Sequence, residues 1–321
     1  MSVACSRWAL TWLLAGCASS GPIPRPTPSP QTQLPSAQPA PIVRAPALVP
    51  GPVPAPSPAP EARPCGELDC LAFATPRAAF EYVLRGEPRV LAIGEAHAQE
   101  GTSGIRSSTR RFAEQLLPLL SGKSKHIVIE LLVANCKAKT VERVAQTQAP
   151  VTEHQAKSNQ NEFLTLGKYA QRFGIEPQAL VPDCKEYESV VTAGEDGVGR
   201  MLGLVAQKTQ SAVEALLANP STSNELILTY GGALHNDLSP RPGQEAWSFG
   251  PQLAAATHGR YLELDLIVPE FVKDTEAWRG QRWFGAFDRE HLTNETLLYR
   301  PAANSFALIF PKTETRPAQE L

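Results

Sequence analysis

Short apolar runs that end in glycine, aspartate or a polar cluster recur through the C-terminal part of the chain. Residues 90–93, 127–132, 179–181, 226–230 and 262–268 have strand length and are rich in apolar side chains, which predicts buried strands. Between them the apolar period becomes that of a helix. Phe112, Leu116 and Leu120, with Leu117 beside them, share a face behind Ser107 and Ser108 as N-caps; Phe163, Leu166, Tyr169 and Ala170 share another before Gly174. Residues 199–219 form the longest predicted helix, with Leu202, Val205, Val213, Leu216 and Leu217 as its apolar positions. Strands alternating with helices predict an α/β domain, a mostly parallel sheet flanked by helices.

Three segments depart from that rhythm. Tyr261, Glu263 and Asp265 alternate with Leu262, Leu264 and Leu266, which predicts a half-exposed or edge strand. Residues 297–310 predict an antiparallel pair turning at 301–304. The polar stretch 146–162, QTQAPVTEHQAKSNQNE, is long for a connection and predicts either a lid insertion over a site or a mobile surface loop.

The N-terminus changes the picture from a domain to a tethered domain. Residues 1–16 hold one cation, Arg7, then an apolar run that is roughly half of the about 20 residues a bilayer core requires, so it reads as a signal peptide. Leu14-Ala15-Gly16-Cys17 resembles a lipobox, which implies cleavage before Cys17, lipidation of that thiol and a membrane as partner. Ala18 after it, rather than Asp, favours the outer membrane where the enterobacterial sorting rule applies. Residues 21–64 contain more than half of the 30 prolines. Proline fixes φ and removes a donor, so 17–64 is expected to be a stiff polyproline tether reaching on the order of 100 Å, and residues 65–321 a single domain.

Net charge is −2, with no basic stripe for nucleic acid. With Cys5 removed and Cys17 lipidated, Cys65, Cys70, Cys136 and Cys184 remain, an even set that suggests two disulfides in an oxidising compartment. Cys136 and Cys184 each follow a strand at its carboxyl end, which favours pairing them across the rim and pairing Cys65 with Cys70.

Two segments repeat one arrangement of strand, glycine and histidine: Gly94-Glu95-Ala96-His97 after the first run, and Gly232-Ala233-Leu234-His235 after the fourth. Ligands of parallel sheets bind outside the carboxyl ends of the strands, so both histidines are expected at one crevice, with Glu130 closing the second strand beside them. His97, Glu130 and His235 can hold a divalent metal, with Glu95 as base or orienting carboxylate; the same set can run metal-free acid–base catalysis. Arg110 and Arg111 are candidates to bind a substrate carboxylate or a haem propionate, His154 a ligand from the lid, and Tyr230 an oxyanion donor or haem ligand. His126 starts its strand, at the end remote from the crevice, and His258 and His291 have no partner pattern.

Gly-Glu-x-His after a first strand, Glu at the end of a second and Gly-x-x-His after a late strand resemble the superfamily of TraB and Tiki proteins, erythromycin esterases and ChaN-like haem-binding lipoproteins. The resemblance spans about residues 89–268. It implies a hydrolase acting on a small-molecule or peptide substrate through Glu95, His97, Glu130 and His235, with a divalent metal or a general base. The ChaN-like branch implies haem capture without turnover instead, although Gln99-Glu100-Gly101 stands where that branch carries a further histidine. A non-catalytic scaffold is the third reading. No phosphate loop, dinucleotide fingerprint, His-Glu-x-x-His, nucleophile elbow or Cys-x-x-Cys occurs, which excludes the common nucleotide enzymes and serine hydrolases.

Overall fold

The computed structural model describes residues 62–102, 104–133 and 135–313. The expected signal peptide, Cys17 and the tether up to residue 61 lie outside these residues. The strands are β1 (Arg63–Pro64), β2 (Leu71–Phe73), β3 (Val90–Glu95), β4 (Ser124–Leu132), β5 (Glu176–Leu180), β6 (Leu226–Gly232), β7 (Tyr261–Ile267), β8 (Thr296–Ala302) and β9 (Ser305–Ile309). The helices are α1 (Pro76–Leu84), α2 (Ser108–Arg111), α3 (Ala138–Thr152), α4 (Asn159–Arg172), α5 (Cys184–Thr192), α6 (Gly197–Ala218), α7 (Gly250–Ala256) and α8 (Glu276–Arg279).

Among the described residues these strands make one sheet in the order β1-β2-β8-β9-β7-β3-β6-β4-β5. From β9 to β5 every neighbour is parallel, whereas β8, β2 and β1 add an antiparallel edge. The expected α/β class and the β8–β9 hairpin are therefore present. Centrally placed β3 is buried along its whole length, as its unbroken apolar run requires. One face packs Phe80, Phe112, Leu116, Ile129, Phe163 and Tyr230 under α1, α2 and α4. The other packs Val90, Val128, Val205, Val213, Ile227 and Leu253 under α6 and α7.

Local sequence accounts for the helix boundaries. Thr75 caps α1, with Pro76 at its first position, and Asp183 with Glu186 forms a capping box on α5. Ser107 caps α2 by accepting from the Arg110 N–H at 3.1 Å. The single helix expected after it instead passes through a π turn at Phe112–Leu116 and a 3₁₀ turn at Leu117–Leu120. Pro118 has no N–H to donate to the preceding turn and its ring crowds the carbonyl there, so Leu117 N–H bonds Phe112 O instead.

The stretch 146–162 is not a loop. Its first part completes α3, its last part begins α4, and only 153–158 turns between them. The polar residues are the solvent faces of the two helices, whose buried sides are carried by Val144 on α3 and by Phe163, Leu166 and Ala170 on α4. The turn is fastened to the loop after β3: Glu100 N–H donates to His154 O at 2.9 Å and Ala156 N–H to Ala98 O at 2.8 Å. Both expected disulfides are present, Cys65–Cys70 and Cys136–Cys184, the second joining the segments that follow the neighbouring strands β4 and β5. Among the described residues no helix is long and apolar enough to cross a membrane.

β7 corrects the expectation of an edge strand. It lies between β9 and β3 with every residue buried. Its alternating polar positions meet a polar layer rather than water: Glu263 accepts from Leu238 N–H at 2.8 Å, Asp265 from Asn236 Nδ2 at 3.1 Å, and the Tyr261 hydroxyl donates to Asn236 O at 2.6 Å. Burial, with the charge of Asp265 adding to it, pushes the Glu263 carboxyl well up. Burial likewise raises Asp265 to about 7, against the opposing Asn236 hydrogen bond. The folded chain thus holds the Asp265 proton across the window from its ordinary 3.8 to about 7, where the unfolded chain releases it, so stability is lost as pH rises through that window. Asp265→Asn is expected to stabilise the domain by about 1–3 kcal/mol at pH 8 and by nothing measurable at pH 4. Thermal melts at the two pH values check this, and an equal gain at both would remove the buried charge as its cause.

Candidate functional site

The site is built at the carboxyl edge of β3, β4 and β6 from side chains that arrive on opposite faces of the sheet. Glu95 ends β3 on the face covered by Phe112 and Phe163. Its Oε1 accepts from His97 Nδ1 at 2.9 Å, and its Oε2 accepts from the Thr109 hydroxyl and the Tyr230 hydroxyl, each at 2.6 Å. Phe112 stacks on the Tyr230 ring with centroids 5.0 Å apart, and Phe163 meets both Tyr230 and His97 edge-on at 5.9 Å. Three donors and an aromatic cage therefore hold one carboxylate and, through it, the orientation of the His97 ring.

Glu130 comes from the other face. It sits where the β4–β5 register slips, an irregularity that re-aims side chains. Its carboxylate lies across the backbone of β6, where Gly232 N–H donates to Oε2 at 2.6 Å. A Cβ on Gly231 would collide with that carboxylate and approach the Glu130 Cβ to 2.9 Å, so the approach requires glycine there. His235, in the turn after β6, faces Glu130 Oε1 with Nε2 at 3.6 Å while its Nδ1 bonds Trp247 O at 2.7 Å. The two pairs meet above Gly232. A Cβ placed there would lie 3.3 Å from His97 Nε2, 3.5 Å from Glu130 Oε2 and 3.7 Å from His235 Cδ2.

Electrostatics follow from this pairing. Burial by itself depresses both imidazoles, but the hydrogen bond and charge of Glu95, with Glu130 behind it, hold His97 above its ordinary value. Glu130 and the Trp247 carbonyl outweigh burial at His235 in the same way and raise it too. Burial would raise Glu130, yet the charge and hydrogen bond of His235, the charge of His97 and the Gly232 N–H bring it down to about 2. The His97 side chain keeps 22 % of its surface exposed and that of His235 6 %, so His97 is the one presented to a ligand.

Above the pairs opens a cleft of about 550 Å³ whose lining includes Glu95, His97, Glu130 and His235. His154 lines it too, on the α3–α4 turn, with 79 % of its side chain exposed and Nε2 3.5 Å from Glu153. Tyr230 and Arg110 are not brought to it. The Tyr230 hydroxyl is committed to Glu95 inside the core, and Arg110 forms a surface pair with Glu114 at 2.9 Å. Arg111 is buried and bonds Pro311 O and Thr313 Oγ1, a structural role. His126 lies at the remote end of β4. No three His, Cys, Asp or Glu side chains among the described residues converge closely enough to hold one metal ion. Sequence reasoning missed Thr109, Asn236 and Asp265. Thr109 and Asn236 stand beside recognised signals, the Ser107 cap and His235, whereas the Trp247 carbonyl leaves no trace in a sequence.

Gly231→Ala is expected to cost about 1–3 kcal/mol in urea unfolding by forcing Glu130 away, while Gly104→Ala, with nothing within 4 Å, stays within about 0.5 kcal/mol. The His97 imidazole is expected to titrate above 6.5 by NMR and to move down in Glu95→Gln, because the carboxylate that raises it is gone. An unchanged titration would uncouple the pair.

No protein-family profile and no curated protein matches the chain. Two solved structures are similar to it at a low level. The type III effector HopBA1 shares 12 % identity over 80 % of this chain and 99 % of its own, with a TM-score of 0.35. RRSP, a MARTX toxin effector domain from Vibrio vulnificus CMCP6, shares 19 % identity over 50 % of this chain and 31 % of its own, with a TM-score of 0.30.

Proposed function

We propose that the domain hydrolyses an ester or amide, with His97, oriented by Glu95, as the base that activates water. The observation that carries this reading is the meeting of two carboxylate–imidazole pairs at Gly232 on the floor of one cleft. Glu95 accepts from Nδ1, so a neutral His97 keeps its lone pair on Nε2, which faces the cleft floor. A water held there loses a proton to Nε2 as its oxygen bonds the substrate carbonyl carbon and the carbonyl oxygen becomes an oxyanion. Collapse of that intermediate expels the alcohol or amine, which takes the proton back from Nε2. His235, whose pKa Glu130 raises, supplies the positive field for the oxyanion when protonated. Both Glu95 oxygens are engaged, which favours an orienting role over that of base.

The superfamily resemblance also implies a divalent metal on His97, Glu130 and His235. One observation favours it: each imidazole gives Nδ1 to an oxygen and keeps Nε2, as metal-bound histidines do. The carboxylate fits less well, because Glu130 is already committed to Gly232 N–H and His235, and no step above runs through a metal. Haem finds neither Tyr230 nor Arg110 at the cleft. The same proposal includes the lipid anchor at Cys17 and a domain held outside the cytoplasm on its tether, and the two disulfides are the kind that persist in an oxidising compartment.

Glu95→Gln and His97→Ala are each expected to lower kcat/KM on an activated ester by about 10²–10⁴-fold. The base works only when neutral, so the acid limb of wild-type kcat/KM is expected above pH 6.5. Dialysis against a chelator is expected to leave the rate intact; a loss restored by zinc or manganese would transfer water activation to a metal. Cys17→Ser is expected to move the protein from the membrane to the soluble fraction on ultracentrifugation.

A further inference from the structure

The walls of the cleft differ from its floor. Leu131, Met201, Leu234 and Trp278 form much of them, and Leu234 and Val151 remain 41 % and 45 % exposed. Apolar surface left in water beside a reacting centre is the surface that a matching substrate removes from water. The polar side chains around it are mostly uncharged: Gln99, Gln148, Gln155, Gln244 and Gln281 all reach the lining.

The carboxylates at the cleft are already committed. Arg241 is the only Lys or Arg among the described lining residues; its Nη2 donates to Ala277 O at 2.8 Å and its guanidinium packs on Gly280. Glu95 and Glu130 are held by their imidazoles. Asp265, at the inner end, holds its proton up to about 7. A cationic ligand therefore displaces an existing pair, and a charge of either sign laid on the apolar walls bears a desolvation cost, with the Arg241 guanidinium, bonded to one neutral carbonyl, as the single Lys or Arg it meets in the described lining.

We infer that the cleft selects an uncharged ester or amide whose acyl part is apolar and whose other polar groups are neutral hydrogen-bonding groups, matched by the apolar walls and the glutamines around them. This rests on the hydrolase reading for the reacting bond, but the selectivity of the walls is a separate property of the cleft.

Two parallel measurements on the intact protein test it. In the first, p-nitrophenyl acetate, p-nitrophenyl octanoate and the mono-p-nitrophenyl ester of suberic acid are compared as substrates. The octanoate is expected to exceed the acetate in kcat/KM by about 100-fold and the carboxylate-ended ester by at least about tenfold. Leu234→Asp and Trp278→Ala are expected to flatten the octanoate-to-acetate ratio. In the second, octananilide and suberanilate, the uncharged and anionic amides of equal length, are titrated against tryptophan fluorescence, and octananilide is expected to bind at least about tenfold tighter. If no ester turns over yet octananilide keeps that preference, the hydrolase reading falls and the selectivity stands. Turnover without chain-length preference, suberanilate binding as tightly as octananilide, or no binding of either amide overturns the inference.

Discussion

The site depends on a close approach that only glycine allows. Glu130 rests on the backbone of β6 at Gly231 and takes the Gly232 N–H into its carboxylate, and that contact lets a side chain from one strand lie over the end of the next. From there it reaches His235, while His97 arrives from the opposite face. A side chain at either glycine would fill the space in which the two pairs meet. The sheet edge thereby brings together groups that the sheet itself would keep on separate faces, and the core on each side remains apolar to within a residue of the site.

Charge is balanced locally. Two carboxylates and two imidazoles sit in a small buried volume, and there the carboxylates push both imidazoles up while the imidazoles bring Glu130 down, each against the effect of burial. A group deleted singly leaves its partner uncompensated, so the four behave as a unit. The polar layer of β7 is a different solution to the same problem. There no cations are supplied, and Glu263 and Asp265 are held nearer to the neutral form.

The central strands, the two Gly-x-x-His turns, Glu130 and the disulfide pairing were legible because each rests on a local pattern: an apolar run, a glycine at a strand end, a cysteine after a strand. β7 was misread because alternation reports that two faces differ, and both water and a buried polar layer satisfy that difference. The helices within 146–162 were not legible because α3 and α4 bury little, so their sequences carry mostly solvent-facing residues. Arg110 lies near the site along the chain but turns to Glu114 four residues on, a local pair, whereas the Tyr230 hydroxyl is drawn inward by Glu95, a tertiary partner that no spacing reveals. The placement of Arg241 is equally invisible, since it depends on a carbonyl from a segment 36 residues away.

The Cys136–Cys184 bond joins positions 48 apart in the sequence and closes the chain on itself around a segment that carries α3, α4 and the turn bearing His154. The wall on that side of the cleft is thus a covalent ring rather than an arm. Its two ends cannot part, so a motion that widens the cleft there must bend the ring or turn it about the disulfide, and the same closure restricts the segment in the unfolded chain.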